Sequence, residues 1–222
     1  MDTDKALDEI TWFGHASFLV HDKLNGRNIY YLDPYDLKEK PKKEPADIIF
    51  VTHAHYDHWS TKGIQKILDD ETIVVGVNGC EGLKLPKERF VITEPSREFT
   101  LKGVKIKTIP AYNIKPERLQ FHPKANKWVG YILEVNDSKI YHAGDTDFIP
   151  EMKNLGKVDV ALLPIGGTYT MDVDESIQAA NSIKAEITVP MHYRALLRDF
   201  EDSEKKFKAG VKGSVEILDE VA

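Results

Sequence analysis

A chain of 222 residues, 41% hydrophobic and 30% charged, has the balance of a globular protein rather than a disordered one and is long enough to bury a sizeable core. No apolar run approaches the roughly 20 residues that span a bilayer, so membrane insertion is not expected, and a net charge of -6 argues against a nucleic-acid partner. The acidic start MDTDKALDEITWF lacks the apolar stretch of a secretory signal. The lone Cys80 excludes an internal disulfide and a cysteine metal knuckle, so a reducing cytoplasm is the expected location.

In chain order, EITWF, SFLVHD and NIYYLDPY are expected strands, the last two joined as a hairpin by KLNGRN. KEKPKKEP, from Lys38 to Pro45, is an expected exposed loop. DIIFVT is apolar throughout, as suits a strand covered on both faces. STKGIQKILDD is an expected helix, with Ser60 or Thr61 as its cap and Ile64, Ile67 and Leu68 on one face. TIVVGV and then REFTLKGVKIKTIPAY return to strand pattern, and VGYILEV with SKIYHAG predicts a hairpin around Asn136 and Asp137. The last third alternates: a short helix over Pro150 to Leu155, strand VDVALLPIG, helix DESIQAANSI, strand EITVPMH, helix DSEKKFKAG and a closing strand SVEIL. No shift of composition marks a boundary, so residues 1–222 are expected to form a single α/β domain. Both halves begin β-rich and gain helices later, a faint internal echo.

Four of the apolar runs end in a polar group: IIFVT in His53, KIYHAG in Asp145, VALLPIGG in Thr168 and ITVPM in His192. In layered α/β folds the loops at strand ends bring side chains from distant segments to one cleft. The stretch FVTHAHYDHWS concentrates this chemistry. His53 and His55, two apart, project to one side of an extended segment, while Asp57 and His58 follow where the chain turns. That pattern suits two metal ions side by side, one on His53 and His55 and the other on Asp57 and His58. Imidazole and carboxylate without thiolate favour zinc, with manganese or iron as alternatives. Asp33, at a strand end before Pro34, either orients a metal-bound imidazole or serves only the turn. His142, three residues before Asp145, is expected to pack or hydrogen-bond beside the ligands rather than to ligate.

THAHYDH matches the H-x-H-x-D-H signature of the metallo-β-lactamase superfamily, and GHASF, LDPY, YHAGDTD, LPIGGTYTMD and VPMHY follow in that superfamily's order over residues 12 to 194. The chain most resembles the small stand-alone branch with the L-ascorbate-phosphate lactonase and the N-acyl-phosphatidylethanolamine phospholipase D type. The resemblance implies a four-layer αβ/βα sandwich and a dinuclear metal-dependent hydrolase. By the same resemblance Asp145 bridges both metals, His192 completes the second site, and His15 lines the cleft or is simply buried. The family usually supplies one more histidine to the first metal where this chain has Asn113 in IPAYNIKP. His122, nine residues on, is taken as its replacement, with Asn113 or a water as the alternatives.

In that mechanism two cations lower the pKa of a bridging water and stabilise developing charge, while Asp57 both ligates and accepts the nucleophile's proton. The expected substrate is a small, anionic ester, lactone or phosphodiester. Lys124 beside His122 and Arg194 beside His192 either contact its charge or are solvated surface. The alternatives are a metal-dependent ligand-binding or sensing module without turnover, or a ribonuclease of the same superfamily. Oligomeric state is not legible.

Overall fold

Residues 9–22, 28–35, 37, 45–135 and 137–221 are described by the computed structural model. The KLNGRN turn, Asn136 and nearly all of the Lys38–Pro45 loop lie outside them. One sheet holds β1 (Ile10–Trp12), β2 (Phe18–Asp22), β3 (Asn28–Leu32), β4 (Ile48–Phe50), β5 (Ile73–Gly76) and β6 (Phe90–Ile92), in that order. The other holds β7 (Glu98–Leu101), β8 (Val104–Pro110), β9 (Val129–Val135), β10 (Ser138–His142), β11 (Val160–Pro164), β12 (Ile187–Met191) and β13 (Ser214–Val215), also in sequence order. β1 to β3 run antiparallel and β3 to β6 parallel; β7 to β10 run antiparallel and β10 to β13 parallel. The internal echo of the sequence is therefore a shared topology, a meander that turns into a parallel ladder.

Patterning explains the split. β4, β11 and β12 are buried at every position, as parallel strands covered on both faces must be, whereas β8 alternates toward solvent. The sheets pack face to face across one hydrophobic core. The Phe50 and Tyr131 rings lie 5.2 Å apart, the Tyr131 hydroxyl donates to Val51 O at 2.8 Å, and Val129 N donates to Thr52 O at 3.1 Å. Helix α1 (Thr61–Gln65) buries Ile64 beside the first sheet; α2 (Val173–Ile183) lies on β11, with α3 (Phe200–Gly210) packed against α2. This is the expected αβ/βα sandwich.

Several elements differ from expectation in extent. α1 stops at Gln65 instead of running to Asp70, because Lys66 N and Ile67 N bond three residues back, to Gly63 O and Ile64 O. Asp69 Oδ1 then captures the N–H groups of Glu71 and Thr72, closing a turn that a helix cannot continue. Stretch 97–112 is two strands: Lys102 and Gly103, both at positive φ, form a two-residue hairpin loop between β7 and β8. The closing strand is only Ser214–Val215, and the short strand β6 carries no alternation that marks it in sequence.

The parallel ladders position the site. Asp33 follows β3, His53 to His58 follow β4, Asp145 follows β10, Thr168 follows β11 and His192 follows β12. The loops after β11 and β12 touch: a Cβ on Gly166 would stand 2.2 Å from His192 O, so only glycine allows that approach.

Candidate metal centre

Three sets of side chains among the described residues place potential ligand atoms within 4.8 Å of one another: His53, His55 and His122; His15, Asp57, His58 and His192; and Asp33, His53 and His58, which links the first two. Asp145 lies between the first two. Its Oδ2 is 3.0 Å from His192 Nε2, 3.3 Å from His122 Nε2 and 3.9 Å from His53 Nε2, and its Oδ1 is 3.4 Å from His58 Nε2. His53, His58, His122, His192 and Asp145 are all buried.

The hydrogen-bond partners fix which nitrogen of three of these rings carries the proton. Thr52 has one hydroxyl hydrogen, which it donates to Asp33 Oδ2 at 2.7 Å, so at 2.9 Å from His53 Nδ1 it must accept. His58 Nδ1 donates to Asp33 Oδ2 at 2.8 Å. Asn113 spends both amide hydrogens, on Asp147 Oδ1 at 3.1 Å and Tyr169 O at 3.0 Å. Its Oδ1 is left to accept from His122 Nδ1 at 2.9 Å and His122 N at 3.1 Å. Each ring is thereby held with a bare Nε2 turned toward the Asp145 carboxylate.

Buried polar atoms thus crowd one carboxylate. His58 Nε2, His122 Nε2, His192 Nε2 and Asp145 Oδ1 are buried without a hydrogen-bond partner among the described residues. Such atoms cost about 1–3 kcal/mol each when unsatisfied, and a cation is what their shared geometry suits. The donor set, nitrogen and carboxylate oxygen without sulfur, fits a borderline transition metal.

The electrostatics agree. Burial alone would lift the Asp145 carboxyl, but the adjacent His192 and His58 hold it well below the usual carboxylate range. Burial disfavours a charge on His58, yet Asp145 and Asp33 outweigh it and hold the ring well above 6.5. With Nδ1–H already given to Asp33, the added proton sits on Nε2, where it relieves the same convergence. Burial, with His58 next to it, drives His53 well below its ordinary value. Burial and neighbouring His192 push His15 down to about 4, the Asp57 bond offsetting only part. Burial raises Asp57, but the 3.1 Å hydrogen bond from His15 Nε2 and the nearby His58 bring it to about 2.

Around the cluster, Asp33 accepts from Thr52 N, Thr52 Oγ1 and His58 Nδ1. It therefore orients two histidines rather than merely preceding Pro34. His15 stacks 3.8 Å from the His192 ring, and its carbonyl accepts from His192 N at 2.9 Å. His15, Asp33 and His192 all hold positive φ, a strained backbone that these bonds over-determine. His142 stands back: Nε2 donates to Ala16 O at 2.9 Å and Nδ1 accepts from Gly144 N at 3.1 Å, bracing the loops that carry His15 and Asp145.

Lys124 and Arg194 are not brought into the cluster. Lys124 Nζ donates to Tyr112 Oη at 3.0 Å and reaches Glu151 at 3.4 Å. Arg194 binds Glu204 at 3.0 Å and lies over the Trp12 ring at 4.7 Å. Sequence reasoning missed Thr52 and Asp147 altogether and gave Arg118 and Trp128 no particular place in the site. Arg118 is buried against Asp147 at 2.6 Å and Glu175 at 2.8 Å. Trp128 walls the first set, 5.0, 4.8 and 5.7 Å from the His53, His55 and His122 rings. Of these, Asp147 alone had a signal, as the second aspartate of the GDTD segment.

Comparison with known proteins follows the same lines. Residues 9–192 match the β-lactamase superfamily domain. A UPF0173 metal-dependent hydrolase of Thermoplasma acidophilum is 32% identical, over 96% of each chain. The crystal structure of a candidate metal-dependent hydrolase from Parabacteroides distasonis superposes with a TM-score of 0.81 at 30% identity, covering 96% of this chain and 93% of that one. A candidate Zn-dependent hydrolase of the metallo-β-lactamase superfamily from Thermotoga maritima gives 0.62 at 25% identity, covering 94% and 97%. On this fold, this cluster and these relatives, the chain belongs to the metallo-β-lactamase superfamily of metal-dependent hydrolases.

Proposed function

We propose that the chain is a dinuclear hydrolase of small esters, lactones or phosphodiesters. His53, His55 and His122 would hold one metal and Asp57, His58 and His192 the other, with the Asp145 carboxylate lying between the two sets. The observation that carries this is the buried convergence of imidazole Nε2 atoms on one carboxylate. Zinc is the expected metal, since imidazole-rich oxygen and nitrogen donors suit it and the Thermotoga relative is described as a candidate Zn-dependent hydrolase. Two such cations supply a water acidic enough to attack near neutral pH and offset charge on the substrate oxygen.

The chain's own groups do the rest. Asp57 Oδ2, held by His15 Nε2, takes the proton from the attacking water and returns it to the leaving oxygen. Thr52, Asp33 and Asn113 hold the histidine rings in one orientation, so little reorganisation accompanies the reaction. Trp128 keeps one wall of the site apolar and limits water access.

Zinc-reconstituted protein is expected to hold close to two metals per chain by elemental analysis and to cleave members of a 4-nitrophenyl ester, lactone and phosphodiester panel. His55→Ala and Asp145→Ala are each expected to hold fewer metals and lose turnover. Full metal retention in both variants overturns the assignment, and two metals without cleavage of any panel member would favour a binding module.

A further inference from the structure

Six large hydrophobic side chains are exposed among the described residues; Tyr56, Ile114, Leu119 and Leu196 ride on the loops that carry the cluster, and Tyr169 on the loop after β11, which meets the His192 loop at Gly166. Single exposed apolar residues are ordinary, but their concentration at one mouth is not. Tyr56, 78% exposed between His55 and Asp57, meets the Tyr35 ring at 6.2 Å, and Tyr35 in turn lies 5.7 Å from His15. On the His122 side, Tyr169 packs edge-on against Phe121 at 4.8 Å while its carbonyl accepts from Asn113. Leu196 lies against Gly166, beside the His192 carbonyl. Apolar groups therefore flank both metal positions.

The cations nearby point the same way. Lys115 is held by Glu175 at 2.7 Å and Asp172 at 3.0 Å, Arg118 by Asp147 and Glu175, Lys124 by Glu151, Lys127 by Glu94 and Arg194 by Glu204. Each already faces a carboxylate, so a second anionic group on a substrate would find no vacant partner among these five. Arg198 is exposed and pairs with no carboxylate among the described residues.

We propose that this mouth takes substrates whose non-reacting body is an apolar acyl or aryl chain lying across Tyr56 on one side and Phe121 and Tyr169 on the other. The inference rests on the cluster acting as the hydrolytic centre, and it replaces an anionic body with an apolar one. The test is calorimetric binding of methyl-, butyl- and hexylphosphonate to zinc-loaded protein. Complete burial lowers Kd about fourfold per methylene; at a half-open mouth about twofold is expected, roughly 30-fold from methyl to hexyl. Appending a terminal carboxylate to the hexyl chain is expected to abolish that gain, and Tyr56→Ser with Tyr169→Ser is expected to flatten the series. Equal affinities along the alkyl series, or tightest binding by the carboxylated chain through Arg198, overturn the apolar body while leaving the metal centre standing. Flat affinities in protein that sediments as a concentration-dependent dimer would instead assign the rim to a second copy. Methylphosphonate binding that does not depend on zinc overturns the hydrolytic centre itself.

Discussion

Asn113 stands where the superfamily resemblance implies a histidine, and its amide is locked from behind. Asp147 takes one amide hydrogen while itself receiving Ile114 N and Lys115 N at 2.8 Å and Arg118 at 2.6 Å. Asn113 is thus placed to orient His122 rather than to replace it. His122→Ala is expected to weaken one of two zinc equivalents about 10- to 100-fold, and Asn113→Leu less, because the ring stays but can turn. Zinc titration of metal-free protein checks both; unchanged affinity in His122→Ala removes it from the ligand set. His142 offers a pH test of the same kind. Gly144 N–H points at Nδ1, so a second ring proton there meets a donor, and burial lowers the ring's pKa. A folded pKa below the unfolded 6.5 means that the unfolded chain binds more protons under that pH. Stability is therefore present above about 6.5 and lost as pH falls toward the folded value. His142→Gln keeps a donor for Ala16 O and an acceptor for Gly144 N without a titrating ring. Its denaturation midpoint is expected to fall less than wild type between pH 6.5 and 5; parallel curves would count against the buried neutral ring.

At the scale of elements, the ends of the parallel strands decide the site more than the strands themselves. β11 and β12 are buried and regular, but the loops beyond them meet at Gly166 and His192. Gly166→Ala sets a methyl against a backbone carbonyl that cannot rotate away, a cost of about 1–3 kcal/mol by overpacking. Zinc titration of metal-free protein is expected to show one of two equivalents weakened and the other unchanged. Equal weakening of both would mean that the strain spreads through Asp145. Tyr131 tests the seam between the sheets. Its hydroxyl satisfies Val51 O in the core one strand end from His53. Tyr131→Phe leaves that carbonyl without its donor and is expected to destabilise by about 1–3 kcal/mol in urea unfolding, with both metals retained.

For the whole molecule, the two halves bring candidate ligands to one cluster that neither can complete. His53 to His58 come from the first ladder; His122, Asp145 and His192 come from the second half. A metal held this way binds the folded state and not the unfolded chain. At a free concentration a thousandfold above Kd it contributes about 4 kcal/mol, or a rise in Tm of about 10 °C for a domain of this size. Thermal melts over a zinc series, reversed by chelator, are the measurement; a Tm independent of zinc would place the ligands in a site formed only by protonated histidines.

The paired strands, the two long helices of the last third and the histidine-rich turn were legible in the sequence because hydrophobic periodicity and residue spacing are local properties. The αβ/βα class instead followed from the resemblance of its motifs to the metallo-β-lactamase superfamily. THAHYDH also implied two adjacent clusters, since side-chain direction along an extended segment follows from the backbone alone. Tertiary structure decided what depended on distant neighbours. Arg118 looks like a surface cation until Asp147 and Glu175, 29 and 57 residues away, close over it. His122 is preferred in the sequence with Asn113 as an alternative, and Asn113 is given an orienting place only when Asp147 and Tyr169, 34 and 56 residues on, claim both its amide hydrogens. Lys124 and Arg194 are neutralised by Glu151 and Glu204, which the sequence places without indicating a partner. An amide's orientation and a cation's partner are settled by groups that only the fold brings within 3 Å, and no local pattern encodes them.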